Sequence, residues 1–135
     1  MSKFLIDTDI LSMFLRNNEN VKLNFSKFIN ETQKITFSCL TYYEILSGLK
    51  FRDNKKFMSR FTELSSFSDI IPLSLDAIEK SSVIYAELRN EGIIIDDVDI
   101  LNAGICLSHN LVLITNNIKH FEKIDGLNIS NWSLV

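Results

Sequence analysis

At 135 residues, 46% of them hydrophobic and only four Gly and one Pro, the chain can bury one ordinary core and is too apolar for a disordered, collagen-like or loop-rich secreted scaffold. Cys39 and Cys106 stand singly in apolar runs without metal-ligand or disulfide spacing, and both read as small buried hydrophobes. The formal net charge of −3 lacks the basic surplus of most nucleic-acid binders, so any such contact must be made locally.

The opening stretch MSKFLIDTDIL is too short for a secretory core and is broken by two aspartates, and no run approaches the roughly 18 apolar residues of a membrane span. A reducing, cytoplasmic setting without membrane contact is expected. No linker or repeat divides the chain, and the nearest break is the polar run Arg52 to Lys56.

In chain order, a strand over Lys3 to Ile6 passes into a helix marked by Ile10, Leu11, Phe14 and Leu15, with Asp9 as its expected cap. A second helix covers Val21 to Asn30. Ile35 to Ser38 reads as a buried strand, and Thr41 as the cap of a helix carrying Tyr42, Ile45, Leu46 and Leu49. Lys55 to Phe67 is amphipathic and helical, and Asp69 to Leu73 is a short strand stopped at Pro72. Helices over Leu75 to Asn90 and Asp96 to His109 precede an apolar strand over Leu111 to Thr115. A short helix over Ile118 to Ile124 and a last strand over Leu127 to Ile129 follow. The alternation predicts an α/β fold: one domain spanning residues 1–135, with a central parallel sheet of four to five strands flanked by helices and a pocket at the carboxyl ends of the strands.

Acids at strand ends are the informative feature, because they face that pocket. Asp7 ends the first strand, Glu44 lies early in the helix after the second, and Asp96 and Asp99 are three apart at a helix start, on one face. Carboxylates about 4 Å apart repel by roughly 4 kcal/mol at an effective dielectric near 20, so a cluster needs a proton, a basic partner or a cation. Mg²⁺ takes oxygen ligands, commonly one or two protein carboxylates, and keeps exchangeable waters. Each residue also has a structural reading: Asp7 as a turn residue, Asp9, Asp96 and Asp99 as helix-start acids, Glu44 as a solvated helix residue. His109 reads as surface, and His120 follows the strand that ends at Thr115.

The blocks FLIDTDILSMFL, SCLTYYEILSGL, AELRNEGIIIDDVDILNAGIC and LVLITNNIKHFEKIDGLNISNW, in that order, resemble a PIN-domain ribonuclease of the VapC type, the toxins of bacterial and archaeal toxin–antitoxin modules. The resemblance spans nearly the whole chain. It implies Mg²⁺ or Mn²⁺ held by Asp7, Glu44 and Asp99, directly or through water, with Asp96 as a helper and Thr8 beside the site. It further implies hydrolysis of RNA, folded tRNA in particular, leaving a 5′-phosphate and a 3′-hydroxyl, together with a separately encoded antitoxin and a homodimer. The last block departs from the pattern: where many relatives carry an acid, this chain has Asn117 and His120. Asn117 is then expected to serve the metal's waters, Thr115 and Asn116 to orient phosphate, and His120 to contact the scissile phosphate. Lys50, Arg52, Lys55, Lys56 and Arg60 form the densest basic stretch, which is either a solvated helix face or an RNA contact.

Two rivals stand beside this reading. LIDTDIL and IIIDDVDI superficially resemble the aspartate motifs of haloacid-dehalogenase-like phosphatases, with Asp7 as nucleophile and Asp9 as general acid, although position 11 is Leu and no lysine motif is evident. The missing fourth acid also allows a degenerate PIN module that binds without cutting.

Overall fold

Leu5 and Ile6 are adjacent in one strand and both fully buried, but in different cores. A computed structural model of the chain describes residues 3–29 and 34–134. Its elements are β1 (Phe4–Ile6), α1 (Thr8–Leu15), α2 (Glu19–Phe28), β2 (Thr36–Ser38), α3 (Cys39–Phe51), α4 (Lys55–Ser66), β3 (Asp69–Ile71), α5 (Leu75–Asn90), α6 (Asp97–His109), β4 (Val112–Ile114), α7 (Ile118–Phe121) and β5 (Ile129–Ser130). The expected end of the second helix at Asn30 lies outside the described residues.

All ladders are parallel: β1 pairs with β4, β4 with β5, and β2 with β3. The expected single sheet is divided into three strands in the order β1-β4-β5 and two in the order β2-β3. β1 and β2 still approach within 8 Å between Cα atoms, so the two sheets form one layer side by side. Strand alternation sends Leu5 and Leu113 to the core shared with α5 and α6, and Ile6 and Ile114 to the core shared with α1 through α4. Burial on both faces is why these strands read as continuous apolar runs rather than alternating ones.

Local chemistry sets the boundaries. Asn18, Ser38, Asn54 and Ser74 each cap a helix by accepting a backbone N–H with the side chain. Ser38, the last residue of β2, therefore caps α3 in place of Thr41, whose own N–H it accepts. Asp7 caps α1 in place of Asp9, through the Thr8 N–H at 2.9 Å. α7 ends at Phe121, three residues short of expectation, and β5 begins at Ile129, after the positive-φ turn at Gly126. Asn110 ends α6 in the left-handed region, and its backbone N–H donates to the Cys106 carbonyl. Cys106 is buried, but Cys39, the first residue of α3, is only partly so. α5 and α6 pack at glycine distance: a Cβ at Gly104 would strike Ser81 Oγ and the Ala77 carbonyl. Among the described residues no helix is long and apolar enough to cross a membrane.

Candidate active site

The parallel register aligns the carboxyl ends of β1 and β4. The Asp7 N–H donates to the Ile114 carbonyl at 2.8 Å, so Asp7 and Thr115 emerge together and the Thr115 hydroxyl donates to Asp7 Oδ2 at 2.8 Å. Asp7 is 6% exposed and Thr115 fully buried. The fully buried Thr115 hydroxyl is thus directed at Asp7, and its oxygen accepts the Asn117 N–H at 3.0 Å.

The end of β2 delivers the second acid. With Ser38 capping α3, Thr41 and Glu44 fall on the turns facing α1, and the Thr8 hydroxyl lies 2.7 Å from Glu44 Oε1 and 3.0 Å from Thr41 Oγ1. Asp99 comes from the first turn of α6 and lies half-buried, its Oδ2 3.7 Å from His120 Nδ1. The Asn117 side-chain amide meets the same His120 nitrogen at 2.7 Å. Asp96 is exposed and caps α6 by position only, without a side-chain cap bond.

Sequence reasoning placed Asp9 outside the site, yet its Oδ1 accepts the Ile10 N–H at 2.7 Å and its Oδ2 the Asn116 N–H at 3.0 Å. Asp9 thus pins the loop after β4 beside Asp7; its spacing of two from Asp7 was the available signal. Asn116 is held from the other side, where Asn131 Nδ2 and the Ser133 hydroxyl donate to its Oδ1. Asn102 was also missed. Fully buried one turn beyond Asp99, it accepts from the Ser38 hydroxyl and so joins α6 to the start of α3, while its Nδ2 has no partner among the described residues. A lone amide inside the apolar run ILNAGIC was its signal.

Electrostatics tie these acids together. Burial, then the charges of Asp9 and Asp99, push Asp7 up to about 7 against the hydrogen bonds from Thr115 and Thr8. Burial raises Asp9 as well. Asp99 is raised by burial and by the charges of Asp96 and Glu44, against the attraction of His120. No Lys or Arg pairs with Asp7, Glu44 or Asp99 among the described residues.

The sequence pattern of the PIN domain family matches residues 4–127. The chain belongs to the PIN domain family. Among relatives of this PIN domain, Ribonuclease VapC2 of Rickettsia felis is 28% identical over 133 residues, covering 96% of this chain and 97% of the relative. The tRNA(fMet)-specific endonuclease VapC of Shigella flexneri is 28% identical over 135 residues, covering 98% and 100%. Among solved structures, DNA-bound VapBC from Salmonella typhimurium superposes with a TM-score of 0.87 at 27% identity over 98% of this chain and 99% of that one.

The donors of this PIN site, anionic oxygens in mutual repulsion with His120 beside Asp99 but no Lys or Arg partner among the described residues, suit a hard divalent cation. Among the described residues, however, no three Asp, Glu, His or Cys side chains are gathered closely enough to hold an ion between them. The fit is to an ion with one or two protein carboxylates and several waters, the usual Mg²⁺ arrangement, rather than to a closed protein cage.

Proposed function

We propose that this PIN domain, spanning the whole chain, is a metal-dependent endoribonuclease toxin of the VapC type, acting on RNA in the cytoplasm and restrained by a separately encoded antitoxin. The observation that carries the reading is Asp7: a buried strand-end carboxylate that feels the charges of Asp9 and Asp99 and, among the described residues, has no cationic side chain paired with it. A Mg²⁺ or Mn²⁺ ion held by Asp7 and Asp99, with Glu44 direct or through water, would offset that repulsion and supply Lewis acidity and an activated water for phosphodiester hydrolysis. Thr115 holds Asp7, and Thr8 orients Glu44. Asn117 fixes the His120 ring beside Asp99, at the exposed rim where a phosphate would enter, with Asn116 next to it. Asp96 adds negative charge at the mouth.

Folded tRNA is the substrate class to test first, since a relative carries that specificity in its name. A homodimer belongs to the same reading; α5 carries Leu75, Ile78 and Tyr85 exposed on one side, an apolar patch that a second copy would cover.

The deciding experiment sequences RNA ends after brief induction of the chain and of Asp7→Asn in parallel. New ends at defined positions only with Asp7 intact are expected; identical ends from both, or none from either, would reject the reading. The phosphatase rival is disfavoured by the PIN family match over residues 4–127. A module that binds without cutting is favoured by the dispersed acids and by Asn117 and His120. It predicts RNA affinity indifferent to Mg²⁺ and Mn²⁺.

A further inference from the structure

Two helix stripes lead away from the acidic site. On α1, Thr8, Ser12 and Arg16 recur at intervals of four, and on α3 so do Glu44, Gly48 and Arg52. Both arginines continue their helices, the Arg16 N–H donating to the Ser12 carbonyl and the Arg52 N–H to the Gly48 carbonyl, each at 3.1 Å. The stripes are joined at one end by the 2.7 Å hydrogen bond between Thr8 and Glu44. Between them lies a cavity of about 520 Å³. Eight residues of helix place the arginines about 12 Å along the axis from Thr8 and Glu44.

The cavity combines three chemistries. Its walls include the apolar Leu15, Ile45 and Leu49, with Phe57 of α4 at its edge. Ser12 contributes a hydroxyl without a hydrogen-bond partner among the described residues. Asn54 spends only its Oδ1 on capping α4, which leaves its amide donors. Arg16 and Arg52 are exposed and have neither ion pair nor side-chain hydrogen bond among the described residues, whereas nearby Arg60 is tied to Asn17 at 3.0 Å. The Arg52 guanidinium lies over Gly48, where an added Cβ would come within 3.2 Å of it. The missing side chain is what lets that cation rest inside the groove.

We infer that this groove is a nucleotide subsite, taking one base and the following phosphate of a single-stranded RNA segment whose preceding phosphate lies at Asp7. The inference rests on the nuclease reading. RNA suits the groove because negative charge and arginines occupy opposite ends, and the Arg52 guanidinium, folded back over Gly48 about 6 Å along the axis from Glu44, stands where a strand laid from the acidic site brings its next phosphate. Unpaired guanidiniums are suited to phosphate, an aromatic ring to a base, and the volume falls in the range of about 300–1,000 Å³ typical of small-molecule pockets.

The test measures binding of a fluorescent pentauridylate on the Asp7→Asn background across a salt series, with thermal melts of every variant. Arg16→Ala and Arg52→Ala should each weaken binding severalfold and flatten the log–log salt slope by about 0.7, the contribution of one single-strand phosphate contact. Phe57→Leu should weaken it about fivefold or more without changing the slope. Phe57 also packs against the core, so Gly48→Leu serves as a second variant: it fills the groove and displaces Arg52 at an ordinary helical position, and should lose binding likewise. Unchanged affinity and slope in the arginine and Gly48 variants would overturn the subsite. So would variants that bind the probe normally but no longer retain a co-expressed antitoxin, since the groove would then dock protein. Cleavage is read in parallel with Asp7 restored. A chain that cuts RNA while these variants bind as before refutes the subsite alone. Arginine-dependent binding by a chain that cuts nothing supports the subsite and refutes the nuclease reading.

Discussion

Thr115 and Asp7, 108 positions apart in the chain, share a 2.8 Å hydrogen bond that carries the register of β1 and β4 into the site. The donor lies at the end of one strand and the acceptor at the end of its parallel neighbour, so the ladder itself sets the distance.

Removing that donor should move the pH dependence of metal binding. Asp7 must lose a proton to bind a cation, and it is pushed up to about 7, so Mn²⁺ affinity should climb as pH rises through neutrality. The Thr115 bond lowers the Asp7 pKa, so Thr115→Val should shift the climb to higher pH. Calorimetric Mn²⁺ titrations from about pH 6 to pH 8 check this; superimposable curves for the two proteins would refute it.

Without metal, ionised Asp7 should destabilise the fold. Its folded pKa of about 7 exceeds the unfolded 3.8, so the folded chain holds the extra proton between those values. The cost is absent below the unfolded value, grows as pH rises through the window, and is complete above about 7. At about 1.4 kcal/mol per pH unit, it reaches on the order of 4 kcal/mol at most. Asp7→Asn should therefore melt higher than the parent in chelator at about pH 8 and no higher near pH 4, with saturating Mn²⁺ narrowing the gap.

Much of this architecture was legible because the strands are buried on both faces: FLID and LVLIT announce themselves as apolar runs ending in polar side chains. The placement of Asp7, Glu44 and Asp99 was legible because a strand end or the opening turns of a helix fix where a side chain starts. The caps were displaced because Ser38 and Asp7 sit one residue outside their helices, where a hydroxyl or carboxylate reaches the first free N–H groups, while Thr41 and Asp9 already lie inside. Division of the sheet depends on how β1 and β2 meet, which hydropathy does not encode. The roles of Asp9 and Asn102 depend on partners 107 and 64 positions away, beyond the reach of local spacing.

Glu44→Gln separates chemistry from structure. Gln retains an oxygen that accepts the Thr8 hydroxyl, so melting should change by less than about 0.5 kcal/mol, the usual scale for a non-disruptive surface change. RNA cleavage should fall at least about tenfold if Glu44 serves the cation. Initial cleavage rates beside thermal melts test this, and a fully active variant would remove Glu44 from the metal's ligands.

Gly104→Ala tests how α5 meets α6. Its Cβ would overlap Ser81 Oγ and the Ala77 carbonyl, so unfolding in urea should show a loss of about 1–3 kcal/mol or more. Adding Ser81→Ala should recover part of the loss and not all, because the Ala77 backbone remains in the way.

Mn²⁺ titration of Asp7→Asn, Asp99→Asn and the double variant tests most directly whether side chains from β1 and α6 share one ion. A shared ion predicts that each single variant loses at least about tenfold in affinity and that the double loses far less than the product of the two. Full Mn²⁺ affinity in either single variant, or strictly independent losses, would contradict it.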